Sequence, residues 1–155
     1  MDNNYIFQYW EAIQDGTVTV GKWIKTIYEI LVNGLKSGKW DFDEEKANKA
    51  INFIENFCHH SEGRNDLLKL ELWQKAIVSA IFGIMDKRTG YRQFREVFIV
   101  VARKNGKTLF AAAIAAYMAY IDGEYGAKVY FLAPKLDQAD LVYDARSEER
   151  RVGKE

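Results

Sequence analysis

The chain has 155 residues, enough for one domain with a true core or for a small domain joined to part of another. Hydrophobic residues make up 48% and charged residues 28%, which excludes a disordered chain. The formal net charge is zero, so a case for a nucleic-acid partner must rest on a local patch and not on global charge.

Cys58 is the only cysteine, so no internal disulfide can form and a reducing compartment fits. No apolar run reaches the length of a membrane span, and Met1-Asp2-Asn3-Asn4 lacks the basic start of a signal peptide. The expectation is a cytoplasmic protein with no membrane association. No internal repeat or low-complexity tract is present.

The first part of the chain reads as helical. Val20, Trp23, Ile24, Ile27, Tyr28 and Leu31 fall on one face at the helical period, and Asn33-Gly34 is expected to stop that helix. Asp41 or Asp43 can cap the next helix, with Glu44 and Glu45 in its first turn and Ala47, Ala50, Ile51, Ile54 and Phe57 on its buried face. The aromatics Tyr5, Phe7, Tyr9 and Trp10 read as core rather than as a stacking platform for bases. Cys58-His59-His60 has too few soft ligands for a structural zinc site. Residues 61–66 read as a loop. Trp73, Ala76, Ile77, Ala80, Ile81 and Ile84 form a third amphipathic stripe, and Asp86 to Arg92 a turn.

The pattern then changes. Val97-Phe98-Ile99-Val100-Val101 is a continuous run of β-branched and aromatic residues, which suits a strand covered on both faces. A loop follows, then an apolar helix from about Lys107 to Ile121, a break at residues 122–126, and a second strand at 129–132 ended by Ala133-Pro134. Strand, loop, helix, strand is one βαβ unit, and ligands in such sheets bind beyond the carboxyl ends of the strands. The fold class expected is therefore α/β: an N-terminal helical segment (1–66) followed by an incomplete start of a P-loop NTPase parallel sheet (67–145).

The loop at that edge is Val101-Ala102-Arg103-Lys104-Asn105-Gly106-Lys107-Thr108. Its Gly-Lys-Thr ending suits a phosphate-binding loop, whose backbone N–H groups and helix dipole favour an anion. A solvated basic turn is the alternative; the flanking strand and helix favour the phosphate loop. On that reading Lys107 contacts the β- and γ-phosphates of ATP, and the Thr108 hydroxyl ligates Mg²⁺. Backbone amides from Lys104 through Asn105 and Gly106 to Thr108 cradle the phosphates. Arg103, if it points inward, stabilises the γ-phosphoryl in the transition state; otherwise it is a solvated arginine. One position departs from the usual pattern: Val101 stands where the first glycine belongs, and Arg103 and Lys104 add cations inside the loop.

These residues resemble the loop of tailed-bacteriophage terminase large subunits, ATPases that package viral DNA, in which a basic residue stands inside the loop and the first glycine is often lost. The likeness extends to Leu72-Trp73-Gln74 with Ile81-Phe82-Gly83, which resembles the family's adenine-recognition segment. Thr89-Gly90, Phe94-Arg95-Glu96, and Ala133-Pro134 with Gln138-Ala139 also fit, in the family's order, over roughly residues 5–145. The resemblance implies that Gln74 reads the adenine edge, since an amide both donates and accepts; an exposed polar residue near a helix start is the alternative. It also implies double-stranded viral DNA, a small terminase subunit and a portal protein as partners, and a homo-oligomeric ring.

A Walker B carboxylate, a residue to orient water and a nuclease domain would lie downstream. A chain ending here is expected to bind nucleotide without turning it over. Residues 146–155 are charged, carry no apolar stripe, and read as the translation of a sequencing-library adapter joined in frame; a short solvated helix is the alternative. Rival readings of the whole are another P-loop ATPase of helicase-like type, and an inert remnant or partner-docking module.

Overall fold

The computed structural model describes residues 4–59, 66–123, 128–130 and 132. Five helices and two short strands lie among them: α1 (Tyr5–Gln14), α2 (Lys22–Lys36), β1 (Asp41–Phe42), α3 (Glu44–Phe57), α4 (Leu72–Gly83), β2 (Ile84–Met85) and α5 (Lys107–Tyr120). The chain divides into two compact units. One takes in residues up to 51 with 70–98, and the other 52–69 with 99 onward.

The first unit is built on α1, α2 and α4. Asn4 opens α1, its Oδ1 accepting the Ile6 N–H at 3.0 Å, a cap of the kind that contributes about 1 kcal/mol. Ile6, Tyr9, Trp10 and Ile13 then fall on one face and are buried, as expected of core aromatics. They form one cluster with Tyr28, Leu31 and Val32 of α2, with Trp40, and with Ala76 and Ile84. The Tyr9 and Tyr28 rings meet edge to face at 4.8 Å, and burial raises the Tyr28 hydroxyl pKa well above its ordinary value.

Helix α2 departs from the expected pattern twice. It does not stop at Asn33-Gly34 but runs on to Lys36. Gly34 is there for packing: a Cβ on it would overlap the Trp40 ring. The predicted apolar face also splits. Tyr28 and Leu31 are buried, whereas Trp23 is 76% exposed and Ile24, Ile27 and Ile30 stand open beside it. The apolar arc of α2 is wider than the surface that α1 and its neighbours cover.

Asp43 caps α3 as expected, its carboxylate accepting the Lys46 N–H at 2.9 Å. Its own N–H donates to the Gly83 carbonyl at 2.8 Å, at the end of the β1–β2 pairing. Of the predicted α3 face, Ala47, Ala50, Ile51 and Ile54 are buried, but Phe57 is 65% exposed. β1 and β2 pair antiparallel, Asp41 with Met85 and Phe42 with Ile84. Ile84, expected on the helical stripe, sits in this strand.

In the second unit α5 buries Phe110, Ala112, Ala113, Ala115, Ala116 and Tyr117. Phe53, from the C-terminal half of α3, packs against Phe57 at 5.6 Å and against Tyr117 at 5.7 Å. Cys58 is fully buried, and its carbonyl accepts the Leu68 N–H at 2.7 Å. No group of three or more metal-ligating side chains occurs among the described residues.

The expected strand at 97–101 has no ladder partner among the described residues, and Phe98 and Val100 are 93% and 80% exposed. β-Propensity becomes a strand only through pairing and coverage, and the described residues provide neither for this run. The sheet present is the antiparallel β1–β2 pair, not a parallel one. Residues 128–130 and 132, from the expected second strand, form no ladder either. Phe131, the Ala133-Pro134 and Gln138-Ala139 segments and residues 146–155 lie outside the described residues, as does most of the 61–66 loop. No helix among the described residues is long and apolar enough to cross a membrane.

Candidate functional site

The segment 101–108 links residue 100 to α5. Its local sequence explains its backbone. Among the described residues only Lys104 has a positive φ without being glycine, at +67°, and Gly106 lies at +64°. Arg103 and Asn105 are not in that region, so the sign of φ alternates along residues 103–106. Where right- and left-handed conformations alternate, successive N–H groups turn toward one concavity, a backbone nest that favours anions; the signs of φ along 103–106 match that pattern. Gly106 accommodates its left-handed turn without a steric cost, whereas Lys104 carries one.

Gly106 is also the N-cap of α5, and no side chain caps that helix. The first intrahelical bond runs from the Phe110 N–H to the Gly106 carbonyl at 2.9 Å. The N–H groups of Lys107, Thr108 and Leu109 have no partner among the described residues. They are the donors that an uncapped helix start leaves to solvent or to an anion. Arg103, Lys104, Asn105 and Lys107 are exposed, and Thr108 is half-buried. The Asn105 amide donates to the Ala102 carbonyl at 3.4 Å, which closes the turn. Three cations and the N–H groups of an uncapped helix start therefore share one short segment at the positive end of a 14-residue helix.

Gln74 belongs to the first unit and the loop to the second. Gln74 is 7% exposed, buried rather than on the surface. It occupies the third position of α4 and completes a capping box. Its Oε1 accepts the Glu71 N–H at 2.9 Å, and the Glu71 carboxylate accepts the Gln74 N–H. The side chain thus already has a local role through its Oε1. The S/T-x-x-E form of this box is familiar; here Glu71 and Gln74 take its two ends, a pattern legible in the sequence but not read there. Trp73 is half-buried and packs on the core, consistent with a packing residue.

A family model described as the terminase large subunit, ATPase domain, matches residues 72–155. The match takes in Gln74, the whole loop and α5. No curated protein and no solved structure matches the chain.

Proposed function

The chain belongs to the terminase large subunit ATPase-domain family, and on that premise we propose that it is the nucleotide-binding N-terminal part of a DNA-packaging motor. Residues 67–145 would be the first part of the ATPase domain, and the 101–108 loop its phosphate-binding loop. The observation that carries this reading is the alternating φ of residues 103–106 leading into an uncapped helix start. A nest with three unpartnered N–H groups behind it fits the phosphates of ATP.

Within that site Lys107 would neutralise the β- and γ-phosphates, and the backbone from Lys104 to Thr108 would cradle them. The Thr108 hydroxyl would supply one ligand to a Mg²⁺ ion, which would offset phosphate charge. Arg103, if it turned inward, would add a charge to stabilise the γ-phosphoryl in the transition state. Gln74 would contribute its Nε2 to the adenine edge. In the full-length protein hydrolysis would drive double-stranded DNA into a procapsid, with a small terminase subunit, a portal protein and a ring of copies as partners. The present chain binds nucleotide without turning it over.

Titration of the intact chain with a fluorescent ATP analogue tests this. The expected result is saturable, Mg²⁺-dependent binding that Lys107→Ala weakens by at least about tenfold, the scale of one lost charge-assisted phosphate contact. Absence of saturable binding would overturn the nucleotide reading. Steady phosphate release that Lys107→Ala abolishes would overturn the statement that this chain does not turn ATP over.

A further inference from the structure

We propose that the turn formed by residues 86–92, with Arg95 beside it in sequence, is a contact surface for the phosphodiester backbone of duplex DNA. Residues 86–95 carry Lys87, Arg88, Arg92 and Arg95 against one carboxylate, Asp86, in a chain whose net charge is zero. That carboxylate is engaged within the turn. Asp86 Oδ1 accepts the Arg88 N–H at 2.7 Å, and this bond is the main cause that holds its carboxyl below the usual range. The Asp86 backbone is spent as well, its carbonyl accepting from Gly90 at 2.8 Å and its N–H donating to Tyr91 at 2.9 Å.

The turn is fixed at its base. Met85 pairs with Arg92, and the Gln93 N–H donates to the Ile84 carbonyl at 2.9 Å. Gly90, at φ +70°, supplies the left-handed residue that closes it. A turn held in this way presents its cations without a further cost of ordering the backbone.

The four cations are not equivalent. Lys87 pairs with Asp41 on the neighbouring strand at 3.4 Å, both side chains substantially exposed. The Arg92 guanidinium lies over the Phe82 ring at 5.4 Å and is half-buried. Arg88 and Arg95 are exposed and make no ion pair among the described residues. An arginine fork matches two phosphate oxygens at once, so Arg88 and Arg95 are the contacts that count. Tyr91, in the same turn and 70% exposed, adds a hydroxyl able to donate to a phosphate oxygen. The contact reads backbone, not bases, and is independent of sequence.

The choice of DNA over other polyanions rests on the family reading above, which the nucleotide titration tests separately. The surface itself is tested by fluorescence anisotropy of a labelled duplex of about 30 base pairs and arbitrary sequence, with the intact chain, between about 50 and 200 mM salt. Each phosphate contact contributes about 0.9 to the slope of log K against log salt, so Arg88→Gln with Arg95→Gln is expected to lower that slope by about 1.8. Lys22→Gln with Lys25→Gln on α2 changes the charge equally and is expected to leave the slope unchanged. All four side chains are exposed, and far-UV circular dichroism checks that both double variants fold.

Three results overturn the proposal: no duplex binding at the lowest salt, an unchanged slope in the arginine variant, or an equal loss in the lysine variant. Binding to heparin with the same affinity and the same arginine dependence would assign the surface to polyanions generally and overturn its assignment to DNA.

Discussion

Substitution at Lys104 separates what the backbone of the loop does from what its charge does. Lys104 sits at φ +67°, where a residue with a Cβ pays roughly 1–2 kcal/mol and glycine pays almost nothing. If the alternating backbone holds the anion, nucleotide affinity follows the ease of adopting that conformation. Lys104→Gly removes the strain but adds freedom to the unliganded loop, a loss of about 0.5–1 kcal/mol. The two terms nearly offset, so the affinity is expected to stay within about fivefold of the parent, on the tighter side. Lys104→Val keeps the Cβ and adds β-branching, which disfavours positive φ further. A further cost of about 1–2 kcal/mol for the competent loop lowers the affinity roughly 5- to 30-fold.

Both variants remove one positive charge, so charge alone predicts equal losses. Lys104→Asn completes the series, since asparagine tolerates the left-handed region and is neutral. The assay is the same titration with a fluorescent ATP analogue at fixed Mg²⁺, with circular dichroism to confirm that α5 persists. An affinity order of Gly, Asn, Val supports the backbone account. Equal weakening in all three would refute it and place the contribution on the ammonium group.

Substitutions at two further positions test where sequence and structure assign different jobs to one residue. Gln74→Glu keeps an oxygen for the Glu71 N–H and so preserves half of the capping box, while removing the Nε2 donor. It places a second carboxylate in a buried site beside that of Glu71, so it is expected to cost about 1–3 kcal/mol of stability near neutral pH and to lose discrimination between ATP and GTP analogues, whereas Gln74→Ala loses cap and donor together, with about 1 kcal/mol of helix stability. Unaltered nucleotide preference in Gln74→Glu would confine Gln74 to the cap. Gly34→Ala gains about 1 kcal/mol of helix propensity, but its Cβ meets the Trp40 ring, and overpacking costs about 1–3 kcal/mol. A net loss of roughly 1 kcal/mol in urea unfolding is expected; a stabilised variant would mean that Trp40 moves aside freely.

Features fixed by a few neighbouring residues were legible in the sequence. Asp43 before Glu44 and Glu45 announced the start of α3, and the aromatics of α1 were read as core. Gly-Lys-Thr before a run of alanines announced the start of α5 and its loop. Features that depend on distant partners were not legible. The apolar face of α2 was read whole, yet only the part facing α1 and its neighbours is covered. The 97–101 run has the composition of a buried strand, but pairing is not written in the strand itself. Gln74 was singled out for its amide, and the nearer claim on that amide, three residues upstream at Glu71, was missed.

The two glycines that mattered most show where the division falls. Gly34 follows asparagine inside an apolar helix, and by local rules it marks an end. The helix continues because Trp40 closes over the missing side chain, a contact made by a residue six positions on that folds back from the following turn. Gly106 precedes Lys-Thr and an alanine-rich helix, and by local rules it marks the start of that helix. It does so at φ +64°, a conformation that glycine adopts without steric cost. A phosphate-binding loop is a local object: its donors are successive backbone N–H groups, and its field is that of the helix it begins. On the proposed reading its signature survives in the sequence, with Val101 where the first glycine belongs, while the sheet expected before it could not be read in the same way. The positive φ of Lys104, two residues before Gly106, extends the same local logic to a residue that no glycine pattern would have marked.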